Sequence, residues 1–126
     1  MTETELRLQE QLVSVFEELN AEIKRLSSEL GGLGYKQRSA LVAHVDSGYT
    51  MHKELNEART KWEEMSEVLN VQKWIFGLMR QYRDLWGYFD NYDEIREEIE
   101  TVKSAAIKKE DYNIAAILTH WLNKLP

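Results

Sequence analysis

The sequence contains no cysteine and only one proline, Pro126, at the last of its 126 positions. Without cysteine the chain can form no disulfide, no thiolate zinc site and no iron–sulfur cluster, and it has no cysteine nucleophile. Because an internal proline removes a backbone hydrogen bond and clashes with the preceding turn, its absence favours a chain that is helical almost throughout. A cysteine-free sequence is also typical of a reducing compartment, so we expect a cytoplasmic protein.

Clusters of basic residues and long apolar runs are missing as well. The net charge is −6, and the basic doublet Lys108-Lys109 is followed directly by two acids. Such a composition works against binding to nucleic-acid phosphates and anionic lipids. No apolar run approaches the ~20 residues that span a bilayer, and the acidic N-terminal residues do not form a signal-peptide pattern. We therefore expect neither nucleic acid nor a membrane as a partner.

What the sequence does contain is a heptad stripe of apolar residues near its start. Steps of four and three residues connect Leu12, Phe16, Leu19, Ile23, Leu26, Leu30 and Leu33. This spacing predicts a helix that packs along its length against another helix. The glycines at 31, 32 and 34 come next, and glycine adopts the left-handed C-cap conformation at little cost. The pattern therefore predicts one heptad helix within residues 1–34, with a stop at the glycines.

The central part, residues 35–92, contains further helices. Its apolar stripe changes phase around Asp46-Ser47-Gly48, where we expect a kink or a break because glycine weakens a helix. A second helix runs to about Asn70, and a third, aromatic segment runs from Val71 to Phe89; whether these two are continuous is open. In the third segment Trp74 and Trp86 share one wide apolar face. That face is either part of the core or a surface that binds a protein.

Residues 93–126 predict a C-terminal helical hairpin. Asp90 or Asn91 is the expected N-cap of its first helix, and Asp111 that of its second. Together the segments predict a single all-α domain over residues 1–126, a bundle of four or five helices with long N-terminal helices.

This hairpin, from roughly Asp93 onward, resembles the UVR motif, a short helical hairpin found in bacterial excision-repair subunits, stress adaptors and chaperone ATPases. The matching residues are Glu110, Asp111, Tyr112, Ala115, Ala116 and Leu118. Thr119-His120 stands where the family has an Arg-Asp pair. The resemblance implies protein–protein contact, because such hairpins pair with one another in the family. The alternative is an ordinary antiparallel helix pair that closes a bundle.

The predicted interaction residues come from this hairpin and from the aromatic segment. They are Tyr112, Ala115, Ala116, Leu118, Trp121, Leu122, Trp74 and Trp86. The two alanines would let a facing helix approach closely, while Tyr112 and Leu118 would cover the seam.

Two acidic clusters offer the only enzymatic hypothesis. One contains Glu18 and Glu22, and the other contains Glu64 and Glu67. The sequence around Glu64 and Glu67 resembles part of the all-α nucleotide pyrophosphohydrolases of the MazG type, which hold magnesium with paired acids. The spacing departs from that family, and acids are expected on the solvent face of helices in any case. The three histidines form no metal-ligand pattern.

Our main hypothesis is therefore a non-enzymatic protein-interaction module or adaptor that needs no cofactor and associates with itself or with another protein. The alternatives are a MazG-like metal-dependent hydrolase and, behind it, an accessory factor of DNA repair or recombination.

Overall fold

The structure, a computed structural model, describes all 126 residues and contains four α-helices. They are α1 (Glu3–Asp46), α2 (His52–Gln81), α3 (Tyr92–Lys108) and α4 (Tyr112–Leu122). The helices hold 81% of the residues and there is no strand, so the predicted all-α bundle is confirmed. None of the four helices is both long enough and apolar enough to cross a membrane.

α1 continues through the glycines that were expected to end it, so the predicted stop at residues 31–34 is wrong. Gly31, Gly32 and Gly34 lie inside the helix, and none has the positive φ of a left-handed C-cap. Glycine costs a helix only ~1 kcal/mol relative to alanine. At Gly34 α1 packs against α2, because Nε1 of Trp62 lies 3.5 Å from the place a Cβ would occupy, an ordinary van der Waals distance. Contact with α2 therefore outweighs the local preference to stop.

The chain reverses direction later, between α1 and α2. α1 ends at Asp46, and Gly48 and Tyr49 both have positive φ, 73° and 67° respectively. The Nδ1 atom of the buried His44 accepts the amide of Met51 at 3.1 Å and holds the turn closed. The predicted break is confirmed, and it is a complete reversal. The predicted ranges 1–34 and 35–92 are thus replaced by one hairpin of two long antiparallel helices.

α2 settles the question that the sequence left open about the central segments. It runs without interruption through Asn70 and ends at Gln81. The second and third predicted segments are therefore one helix, but that helix stops before the expected end at Phe89. Residues 82–91 form a loop that leads into α3.

One hydrophobic core lies where α3 and α4 pack against the α1–α2 hairpin. We call this part, residues 1–30 and 64–126, the head. The core residues come from all four helices, the 82–91 loop and the C-terminal residues after α4. They are Leu12, Val15, Phe16, Leu19, Ile75, Leu78, Met79, Phe89, Ile95, Ile99, Leu118, Trp121, Leu122 and Leu125. Leu12, Phe16 and Leu19, the first three heptad residues of α1, thus lie in one wall of this core.

The remaining part, residues 31–63, we call the arm, and it consists of α1 and α2 alone. Only His44 and Leu55 are buried there. Each arm helix has a single neighbour, so most of its circumference faces solvent.

α3 and α4 form the predicted C-terminal hairpin. The residues before them are Asn91 and Asp111, as expected, although neither side chain makes a capping hydrogen bond. The other end of α4 is capped by Arg96 of α3, whose Nη2 donates to the carbonyls of Leu122 at 3.1 Å and Leu125 at 3.0 Å. Because the last carbonyls of a helix lack partners within it, this contact fixes the chain terminus against α3.

Two glycine substitutions test the course of α1. Gly32→Ala should raise the free energy of unfolding by roughly 0.5–1 kcal/mol, because alanine favours helix and an added Cβ meets nothing within 4 Å. Gly87→Ala is the matched control, and it should lower stability by about 1–3 kcal/mol because φ is 85° there. Urea unfolding measures both. A loss of stability in Gly32→Ala would instead show that the glycines end the helix.

Candidate interaction site

The two most exposed apolar side chains of the protein lie together in the loop between α2 and α3. Leu85 is 100% exposed and Trp86 is 85% exposed, and Tyr88 is exposed on the same loop. We call residues Asp84–Tyr88 the Trp86 loop. Tryptophan is highly buried on average in folded proteins. An indole so fully exposed beside an exposed leucine therefore makes this loop the first candidate for contact with another molecule.

The backbone of the Trp86 loop is held by Asp84. Its Oδ1 atom accepts the amide of Trp86 at 2.8 Å and the amide of Tyr88 at 2.9 Å. The Asp84 amide donates to the Tyr88 carbonyl at 2.8 Å, and Gly87, with a positive φ, completes the turn. Aspartate often fixes turns by accepting amides that follow it in the chain. None of these hydrogen bonds involves the side chain of Leu85 or Trp86, so neither side chain is needed to form the turn and both are free to contact another molecule.

Gln9 of α1 ties the end of the loop to the head. The buried amide side chain donates from Nε2 to the carbonyl of Phe89 at 2.9 Å and accepts the Phe89 amide on Oε1 at 2.7 Å. The Phe89 ring is buried and meets the Phe16 ring edge-on, with centroids 5.8 Å apart. A buried backbone group must find a partner, and here one side chain satisfies both groups of Phe89. The loop is therefore fixed relative to α1.

Arg83 contacts both the Trp86 loop and the aromatic residues of the core. Its guanidinium carbon lies 4.8 Å from the centre of the Phe16 ring and 5.6 Å from that of Phe89. Its Nε also donates to the carbonyl of Gly87 at 3.3 Å. Cation–π contacts contribute about 0.5–2 kcal/mol according to their exposure to water. Arg83 thus connects the turn to the aromatic part of the core.

Tyr82 connects the start of the loop to α3. Its hydroxyl lies 2.8 Å from a carboxylate oxygen of Glu98 and 3.1 Å from one of Glu94. The hydrogen bond to Glu98, together with partial burial, raises the pKa of Tyr82 to about 12, since ionising the phenol would place a third negative charge beside two carboxylates.

The structure separates the two predicted interaction tryptophans. Trp86 lies on the exposed loop, whereas Trp74 lies on α2, half-exposed beside an apolar groove of about 300 Å³ that Val102 and Ile114 also line. The predicted shared face depended on a helix that continued to Phe89, but α2 ends at Gln81. Trp74 and Trp86 therefore do not form one surface.

The C-terminal hairpin uses most of its predicted interaction residues inside the head. Leu118, Trp121 and Leu122 belong to the core, and Ala115 is buried with them. These four residues stabilise the fold and are not exposed to a partner.

Tyr112 and Ala116 lie on the outside of the same hairpin. Tyr112 does not cover the seam, because it is 63% exposed. It is six residues from Leu118, which places the two roughly 120° apart around α4. Ala116 is exposed and lines a groove of about 360 Å³ with Glu64 and Glu67 of α2.

The glutamates of the hydrolase hypothesis do not come together. Glu18 pairs with Lys124, and Glu22 pairs with Arg25, whose hydrogen bond lowers the pKa of Glu22. Glu64 and Glu67 lie in the groove beside α4. No group of three or more histidine, aspartate or glutamate side chains is arranged to hold a metal ion.

No family model, no curated protein and no solved structure matches this chain. Function must therefore be argued from the sites themselves.

Of this site, only Trp86 was predicted from the sequence. Leu85 falls within the segment that was predicted to be helical, and no role was predicted for Asp84, Tyr88 or Gln9. The signal was present, because an aspartate followed three residues later by Gly87 is typical of a turn.

The raised pKa of Tyr82 predicts a pH-dependent contribution to stability. The folded-state pKa lies above the ordinary value of 10.0, so the stabilisation is complete below pH 10 and is lost as the pH rises to about 12. Wild type should thus exceed Tyr82→Phe in stability at neutral pH, and the difference should vanish across that window. Tyr112→Phe, at an exposed ring without a hydrogen bond, is the control. A constant difference across this range would contradict the assignment.

Proposed function

We propose that this chain is a cytoplasmic, non-enzymatic protein-interaction module that inserts the Trp86 loop into an apolar pocket of a partner protein and also associates with itself through its helices. The observation that carries the proposal is the fixed loop that presents Leu85 and Trp86 to solvent. The absence of cysteine supports the cytoplasmic location, and the net charge of −6 favours a protein over nucleic acid as partner.

The physical argument starts from the area that the loop can bury. A tryptophan buries about 150–250 Å² when it enters a pocket. At about 25 cal/mol per Å² this corresponds to roughly 4–6 kcal/mol before the costs of association. Tryptophan is accordingly enriched among the few residues that dominate binding energy at protein interfaces.

The way the loop is built reduces one of those costs. Binding normally loses free energy because loops and side chains must be ordered at the interface. Here Asp84 fixes the turn and Gln9 fixes its end before any partner arrives. The proposed contact therefore requires little further ordering of the backbone.

The UVR resemblance stays a prediction and offers a second docking element. The outer side of the C-terminal hairpin, with Tyr112 and Ala116, is the part of it that is exposed. A partner of the hairpin would have to bind there, because the inner side is occupied by the core of the head.

The double variant Leu85→Ala/Trp86→Ala tests the proposal. Both side chains are exposed, so the free energy of unfolding should stay within about 0.5 kcal/mol of wild type. Affinity for a protein captured from the source cells should fall roughly 30-fold or more, since interface tryptophans typically contribute 2 kcal/mol or more. Titration of the purified partner into each variant by calorimetry measures this.

The comparison variant is Tyr112→Ala on the C-terminal hairpin. It should bind the partner as wild type does. If Tyr112→Ala loses affinity while the loop variant keeps it, the hairpin is the docking element and the Trp86 loop is not.

A further inference from the structure

The side of α1 that faces away from α2 in the arm is exposed and largely apolar. Tyr35, Val42 and Val45 are all exposed there. Val42 is two residues from the buried His44, which places it about 160° around the helix from the contact with α2. A groove of about 530 Å³ follows this side and is lined by Tyr35, Arg38, Ser39, Val42, Ala43 and Asp46. We call these six residues, with Val45, the outer face.

Two opposite charges of the outer face are placed symmetrically about Val42. Arg38 lies four residues before it and Asp46 four residues after it, both within α1. In two antiparallel helices related by a two-fold axis, residues equally distant from the axis lie opposite each other. An axis at Val42 would therefore place Arg38 opposite Asp46 of the second copy and Asp46 opposite its Arg38.

We propose that the outer face is a homodimer interface, in which α1 of a second copy of this chain packs antiparallel with its centre at Val42. This inference rests on the self-association in the proposed function and names its surface. Neither Arg38 nor Asp46 makes an ion pair within the chain, so both are free to pair with the second copy. Ser39 and Ala43 are small, which permits the 8–10 Å between helix axes of a close contact.

Charge decides the direction of packing. A parallel arrangement in the same register would place Arg38 against Arg38 and Asp46 against Asp46. Like charges placed opposite each other in an interface are strongly unfavourable, whereas the antiparallel arrangement forms two identical ion pairs. The same face thus favours one orientation of the second copy and disfavours the other.

The geometry also sets the distance between the two Trp86 loops. Gln9, which holds the loop, precedes Val42 by 33 positions, which is about 50 Å of helix. In the antiparallel dimer the heads lie at opposite ends, so the two loops are separated by on the order of 100 Å.

Charge reversal tests the interface. Arg38→Glu alone and Asp46→Arg alone should each raise the dimer dissociation constant roughly tenfold or more, because each places like charges opposite one another. The double variant Arg38→Glu/Asp46→Arg restores both pairs with reversed sign and should return to near the wild-type value. Lys24→Glu, an equal charge change on an exposed part of α1 outside the face, is the matched control and should dimerise as wild type.

Sedimentation equilibrium of each purified chain, with circular dichroism to confirm that it is folded, provides the measurement. A wild-type chain that stays monomeric would overturn both the interface and the self-association. A dimer that neither single reversal weakens would overturn the interface and leave self-association standing. Single reversals that weaken the dimer without rescue in the double variant would overturn the antiparallel register.

Discussion

The unequal lengths of the helices are the constraint on which the rest of this structure depends. α1 has 44 residues and α2 has 30, whereas α3 has 17 and α4 has 11. At 1.5 Å per residue, the first pair extends roughly 66 and 45 Å and the second roughly 26 and 17 Å. The short helices can cover only one end of the long hairpin. The molecule therefore divides into a head with a four-helix core and an arm of two helices.

The division explains why the two exposed surfaces differ in kind. In the head every helix finds neighbours, and a single core fixes the Trp86 loop through Phe89 and Gln9. In the arm each helix packs on one side only, and helices in water depend on such packing more than on their own propensity. A second copy packed on the outer face of α1 would give residues 38–46 of that helix the second neighbour that α3 and α4 are too short to supply.

Helix type and the α1 wall of the core could be predicted because both follow from local periodicity, and Leu12, Phe16 and Leu19 are buried as the heptad implied. The ends of the helices could not be predicted, because they depend on residues that are distant in the sequence. Gly34 stays helical where α1 packs against Trp62 of α2. The apolar pattern of α2 continues to Phe89, yet Gln9, 80 residues away, takes the hydrogen bonds of Phe89 that a helix would use. The candidate site was therefore found only as an isolated Trp86.

The two proposals together indicate which kind of partner would bind the dimer most tightly. A rigid dimer with loops on the order of 100 Å apart cannot place both indoles in one compact pocket. A partner with a single pocket would bind each loop independently, and dimerisation would then leave its affinity unchanged. A partner that repeats its pocket at a matching distance would bind the second loop as an intramolecular event, and affinity gains of 10²–10⁴ are typical when geometry permits this. The arm helices fix the distance between the two Trp86 loops, so only a partner whose pockets repeat at that distance would gain affinity. The length of α1 would therefore determine which partners are selected.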